Sequence, residues 1–171
     1  MNMKKMFNLV PMIGLFLCFI CQAVEAQEIN LVDDKNFYEV EFTSEGPSLV
    51  VTIDGMRKVA DLDEGTGALP KYLGKYKNCL VFMDNVNRTH RKIHVFRPVD
   101  GYVWQTIYDN ELCSPAEREE CVMFYGDNAI KVEFNKTGGP RTKFTKLDSK
   151  YAKLKGHTIS SCKGEFVSAD D

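Results

Sequence analysis

From Asn36 the chain alternates with period two. Tyr38, Val40 and Phe42 fall on one face of an extended segment and Phe37, Glu39 and Glu41 on the other, the pattern of a strand with one buried side. Gly46-Pro47 breaks the run. Leu49, Val51 and Ile53 then alternate with Val50, Thr52 and Asp54, and the turn dipeptide Asp54-Gly55 leads into a partner strand from Met56 to Leu62. Cys79 to Val86 and Lys92 to Phe96, joined by the turn Asn87 to His90, read as a second hairpin. Tyr102 to Tyr108 is rich in β-branched and aromatic residues and reads as a strand. Cys121 to Tyr125 and the alternating Ile130, Val132 and Phe134 flank Gly126-Asp127-Asn128 and form the cleanest hairpin in the chain. Arg141 to Thr145 adds a further strand after Thr137-Gly138-Gly139-Pro140.

Two stretches break the alternation. Asp63 to Pro70 is a loop by composition, and Lys71 to Asn78, with Tyr72, Leu73 and Tyr76 set among glycine and lysines, follows neither period. Near the end the period changes. Leu147, Tyr151 and Leu154 are spaced i, i+4, i+7, with Asp148 or Ser149 placed to cap and Gly156 to stop a short helix. Its narrow apolar stripe predicts a helix lying on the outside of the sheet with its lysines in water. Val167 to Asp171 reads as a loose tail. Roughly nine short strands in sequential hairpins followed by one helix predict an all-β fold, either an antiparallel meander barrel or a β-sandwich. A closed barrel removes open sheet edges, whereas a sandwich must protect them.

The amino-terminal residues have a different pattern. Lys4 and Lys5, an apolar run from Met6 to Ile20 and small residues ending at Ala26 predict a secretory signal over residues 1–26, with the mature chain starting at Gln27. That run is too short and too interrupted, by Asn8, Pro11 and Gly14, to span a bilayer, and no later segment is long and apolar enough. Removing 26 of the 171 residues leaves 145, enough for one domain around one core. Lys4, Lys5 and Glu25 leave with the signal, which moves the formal charge from −2 to −3. The interspersed charges give no basic footprint for nucleic acid.

Secretion changes how the cysteines are read. Cys18 and Cys21 belong to the signal, and the remaining Cys79, Cys113, Cys121 and Cys162 predict two disulfides with three possible connectivities. Their spacing offers no close pair for zinc. Asn87-Arg88-Thr89 and Asn135-Lys136-Thr137 are acceptor triplets for N-glycosylation. His90 and His94 have the spacing that chelates metal from a helix, but in a strand four residues span about 13 Å, so they read as two surface histidines. His157 has no identifiable partner. No nucleophile elbow, catalytic cysteine or phosphate-cradling glycine pattern occurs, so the chain reads as non-enzymatic, without cofactor or metal.

Thr106-Ile107-Tyr108-Asp109-Asn110 resembles the second short signature of the lipocalin family, T-D-Y-D-N in its commonest form, with Ile107 replacing the first Asp. Asn36-Phe37-Tyr38-Glu39-Val40 is similar to the family's first-strand pattern G-x-W-Y-E-I, with Phe37 in place of the Trp and the Gly missing. The family's third motif, an Arg near the last strand and helix, is matched at best by Arg141. The resemblance is spread over Asn36 to Cys162. It implies a barrel holding one small ligand, and a C-terminal cysteine paired with a central strand, hence Cys79–Cys162 with Cys113–Cys121 as a local staple. It also implies likeness to secreted salivary or venom proteins that sequester host amines or lipid mediators.

Two sets of residues are candidates for contacting such a ligand. If Phe37 takes the inward place of the family Trp, Glu39 and Glu41 share its face and a cationic amine would partner them; simple burial instead points Tyr38, Val40 and Phe42 inward and leaves both glutamates in water. Tyr102, Trp104 and Tyr108 share one strand face and either line a pocket or belong to the core. The sequence thus predicts a secreted protein that sequesters a small apolar or amphipathic ligand, a lipid mediator or biogenic amine. The alternative is a secreted β-rich protein that binds or inhibits a host or other extracellular protein through its loops.

Overall fold

The computed structural model of the chain describes residues 29–62, 69–86, 90–98, 101–109, 118–135, 141–162 and 165–170. Strands β1 (Asn30–Asp33), β2 (Asn36–Thr43), β3 (Gly46–Ile53) and β4 (Met56–Asp61) lie side by side in chain order as one antiparallel sheet. Strands β5 (Lys71–Tyr76), β6 (Cys79–Asn85), β7 (His90–Arg97) and β8 (Gly101–Asp109) form a second meander. A third sheet holds β9 (Arg118–Tyr125), β10 (Asn128–Asn135) and β11 (Lys143–Lys146). After a 3-10 helix, Ser149–Leu154, the chain returns as β12 (Ile159–Cys162) and β13 (Glu165–Ser168) and extends the second sheet to six strands, in the order β13-β12-β8-β7-β6-β5.

The all-β class with antiparallel sheets therefore holds. Among the described residues no sheet closes on itself, so the expected closed barrel is not found. One pairing breaks the meander logic: β12 runs parallel to β8, with Ile159 opposite Tyr108 and Ser160 opposite Asp109. A parallel neighbour needs a crossover, and the third sheet and the 3-10 helix supply that length of chain.

Local chemistry explains the hairpins. Asp54 and Gly55 both take positive φ, 49° and 77°, the combination that a two-residue primed turn requires, and they join Ile53 to its partner Met56. The unreadable stretch 71–78 is β5 and its turn. A register shift between Tyr72 and Gly74 disturbs its alternation, and Gly74 has φ 144°. A Cβ there would meet the Phe144 ring of β11 at 3.4 Å, an ordinary contact, so it is the backbone conformation rather than lack of space that calls for glycine.

The six-stranded sheet divides its side chains between two apolar clusters. Cys79, Val81, Met83, Ile93 and Val95 pack with the third sheet, the 3-10 helix and Phe166, whereas Leu80, Phe82 and Phe96 pack with Leu49, Val51, Ile53 and Ala60 of the first sheet. Strand β6 is consequently buried from Cys79 through Asp84, on both faces. Phe82 is the hinge of the second cluster: its ring meets Tyr38 at 4.9 Å, Tyr72 at 5.2 Å and Phe96 at 5.6 Å between centroids. Edge-on and tilted pairs of this kind add about 0.5–1.5 kcal/mol each beyond the area they bury.

The carboxyl-terminal end departs from expectation in two ways. The helix is a 3-10 turn of six residues held by Tyr151 N–H donating to the Asp148 carbonyl at 3.0 Å, and Asp148 makes no side-chain cap. Its exposed Lys150 and Lys153, its buried Leu154 and the Gly156 stop at φ 90° agree with the sequence. Of the expected loose tail from Val167 to Asp171, Asp171 lies outside the described residues and the rest is held in place: Glu165–Ser168 pairs with β12, and Ala169 N–H donates to the Thr158 carbonyl at 2.9 Å. Among the described residues no helix is long and apolar enough to cross a membrane.

Candidate ligand-binding cleft

The candidate residues on β2 fall on opposite sides of the first sheet. Tyr38 and Val40 pack against the cluster around Phe82. Glu41 points the other way, where Arg57 Nη2 of β4 lies 2.7 and 2.8 Å from its two carboxylate oxygens. Glu39 shares the Glu41 face by alternation and sits half-buried opposite Val50. This is the arrangement that simple burial favours, and Glu41 already has its cation. Phe42 is the exception, since it projects beyond the end of the cluster and is 73% exposed.

For Tyr102, Trp104 and Tyr108 the strand backbone and register are described and the side chains are not. Tyr102 lies opposite Phe96, Trp104 opposite His94 and Tyr108 opposite Arg91. A register shift between the last two pairs places Trp104 and Tyr108 beside residues three apart on β7, which belong to opposite faces of that strand. The three aromatics therefore do not share one row of cross-strand partners.

Cys79 and Cys121 are both buried and are not bonded to each other. Cys113 lies outside the described residues, and for Cys162 only the backbone at the end of β12 is described. Burial pushes the Cys121 thiol far above its ordinary range, against the pull of Arg91 and with the push of Glu119 and Glu120. Asn87 also lies outside the described residues. Asn135 is exposed at the end of β10, where its carbonyl accepts a hydrogen bond from Lys71 Nζ at 2.9 Å.

The histidines correct the sequence reading. His94 is fully buried, with its Nε2 3.7 Å from Asp84 Oδ2, and only His90 is partly open. The continuous apolar run Ile93-His94-Val95-Phe96 carried the signal, because a strand covered on both faces does not alternate. His157 does have a partner, Asp170, whose Oδ2 lies 3.5 Å from its Nδ1 and also accepts from Thr158 N–H at 2.9 Å. A second buried pair, Arg91 and Glu119 at 2.8 Å, ties β7 to β9, and Ser161 Oγ donates to Glu120 to tie β12 to the same strand. An imidazole beside a carboxylate is part of a general-base arrangement, and in the Asp84–His94 pair both groups are buried between strands. These groups join strands and sheets.

An opening lies elsewhere, between the 3-10 helix and β13, the edge strand of the six-stranded sheet. It is a half-open cleft of about 410 Å³. Its apolar surface comes from Tyr151 and Leu154 of the helix and Phe166 and Val167 of the strand, with the Tyr151 and Phe166 rings edge to face at 6.4 Å. Its polar surface comes from Lys150, Lys153, His157, Glu165 and Ser168. Lys150 Nζ stands 4.8 Å above the Tyr151 ring. Asp170, by bonding Thr158 and facing His157, fixes the end of β13 against the turn after the helix and so holds the two walls together. Among the described residues no cluster of ligating side chains fits a metal ion. Sequence reasoning misses this site because it starts a loose tail at Val167, inside β13; the available signal is Phe166 and Val167, two large apolar residues shortly after a cysteine. Comparison with known protein families, with curated proteins and with solved structures finds no match for this chain.

Proposed function

We propose that this chain is a secreted, non-enzymatic protein that sequesters a small amphipathic ligand, and that the ligand lies in the cleft between the 3-10 helix and β13. The observation that carries this reading is the cleft itself: its volume suits one small molecule, and its apolar floor is bordered by a few polar groups. The biogenic-amine version loses support, because Glu41 is already paired with Arg57 on the outer face of its sheet. In the same reading the chain is a stack of sheets rather than a closed barrel. The alternation of β6 side chains between two clusters supports that architecture, and it moves the ligand from the interior to an edge.

Native mass spectrometry of the mature protein purified from a secreting host is the test. A co-purifying molecule of a few hundred daltons, lost when Ser168→Trp fills the cleft, is the expected result. An empty protein that binds no amphiphile overturns the reading. The second reading, binding of another protein, draws on a separate observation: Leu31 and Phe42 are 80% and 73% exposed on the first sheet, remote in sequence from the cleft. Retention of a protein partner by the wild type, lost in Leu31→Ser or Phe42→Ser and kept in Ser168→Trp, would favour it.

A further inference from the structure

The geometry of the 3-10 helix points to the charge of the ligand. We infer that the cleft selects an amphiphile with an anionic head group, such as a long-chain carboxylate, over neutral or cationic amphiphiles of the same chain length. This inference rests on the cleft being the ligand site.

A 3-10 helix has three residues per turn, so side chains at i and i+3 eclipse one another. Lys150 and Lys153 are so spaced, and so are Tyr151 and Leu154. The helix therefore presents a row of two ammonium groups beside a row of two apolar side chains, and both rows line the cleft. Across the gap, Phe166 of β13 continues the apolar row, while Val167, its neighbour on the other face of the strand, is 46% exposed at the rim. A molecule with a tail along Tyr151, Leu154 and Phe166 has its head at the lysine row. Among the described residues neither lysine is held in an ion pair; Lys150 rests on the Tyr151 ring, and both chains are exposed.

Two other charged groups face the cleft. His157 is turned to Asp170, which does not line the cleft and whose Oδ2 accepts from Thr158 N–H. Glu165 stands at the start of β13, three residues from Ser168 at the other end, about 10 Å along the strand at the usual rise. Among the residues that line the cleft the two lysines outnumber the one carboxylate, Glu165, so an anionic head group is favoured there over an ammonium one. The attraction is between exposed groups and is screened by salt.

Calorimetric titration of the mature protein at neutral pH and low salt with dodecanoate, dodecanol and dodecyltrimethylammonium, each below its micellar concentration, is the test. Dodecanoate is expected to bind about tenfold tighter than dodecanol, with the cation weakest, and the gap to shrink in high salt. Lys150→Gln with Lys153→Gln is expected to weaken dodecanoate about five- to tenfold and leave dodecanol unchanged, which a merely structural role for the lysines would not do. If dodecanol matches dodecanoate, or the double variant binds both as the wild type does while Ser168→Trp abolishes binding, the cleft reading stands and the anion inference falls. If none of the three probes binds the wild type, both fall.

Discussion

Two regions of this molecule are lined by aromatic and polar groups, and only one is open. Between the first and second sheets, Tyr38, Tyr72, Phe82 and Phe96 meet at centroid distances of 4.9 to 5.8 Å, and the polar groups buried there, Asp84 and His94, face each other. Between the 3-10 helix and β13, Tyr151 and Phe166 stand 6.4 Å apart, and the charges beside them are exposed lysines. The first region is covered by a whole sheet, the second by two turns of 3-10 helix at a sheet edge. Aromatic content therefore does not separate the open region from the closed one; among the described residues, the amount of chain that covers each does.

The widest gap between the two regions should appear in stability. Phe82→Ala removes a fully buried ring that three others contact, and it is expected to cost about 3–5 kcal/mol, read as a lower urea midpoint with an unchanged slope. In contrast, Val167→Ala, at a site 46% exposed on the cleft, should shift the midpoint by no more than about 0.5 kcal/mol while weakening amphiphile binding. If the two shifts were equal, the distinction between sealed layer and open cleft would fail. Next in size is Glu119→Ala, which strands the Arg91 guanidinium in the interior between β7 and β9 and is expected to cost about 3 kcal/mol. Its exposed counterpart, Glu41→Gln opposite Arg57, should cost less than about 1 kcal/mol.

How far the sequence showed these regions follows from their coverage. The first sheet packs one face on the core, so Tyr38 and Val40 alternate with Glu39 and Glu41, and the strand and its inward face were both legible. Asp54-Gly55 was legible because only a few dipeptides tolerate two positive φ values. Strand β5 was not, since the irregularity at Gly74 destroys the period that marks a strand. Nor was the burial of His94, because a residue's second face is hidden by a sheet formed far away in the chain. The cleft was invisible for a related reason: β12 and β13 are short, and their place beside β8 depends on a parallel crossover that no local pattern announces.

The pH dependence of the sealed layer can be read at its alkaline end. Burial, with smaller pushes from Asp33 and Tyr38, raises the Tyr72 hydroxyl from 10.0 to about 12. A group raised in the folded state stabilises fully below its unfolded value, so this contribution is intact below pH 10 and is lost as pH rises through about 12. Tyr72→Phe should flatten the stability curve over that window, monitored by urea midpoints, and remove one phenolate from the absorbance titration. A tyrosine that ionises near pH 10 in the wild type would mean that water reaches the layer.

The smallest expected effect concerns the latch on the outside of that layer. Asp33, on β1 of the first sheet, sits 3.2 Å from Lys75 Nζ on β5 of the second, and Asn36 Nδ2 donates to its two oxygens at 2.6 and 2.7 Å. The Asn36 bonds above all, then the Lys35 backbone N–H and Lys75, hold the carboxyl at about 2 instead of 3.8. A carboxyl lowered in the folded state stabilises above its unfolded value, so the latch is whole above pH 3.8 and is lost as pH falls through about 2. Carboxyl-carbon NMR titration should show Asp33 moving back toward 3.8 in Asn36→Ala and moving less in Lys75→Gln, since the amide bonds outweigh the exposed ion pair. The reverse order would make Lys75 the main partner and the contact between the two sheets electrostatic at its rim, and Asp33 would then also lose its low value in high salt. With the expected order, salt leaves Asp33 almost unmoved, and the rim of the sealed layer is held from within β1 and β2 by a short-range amide clasp.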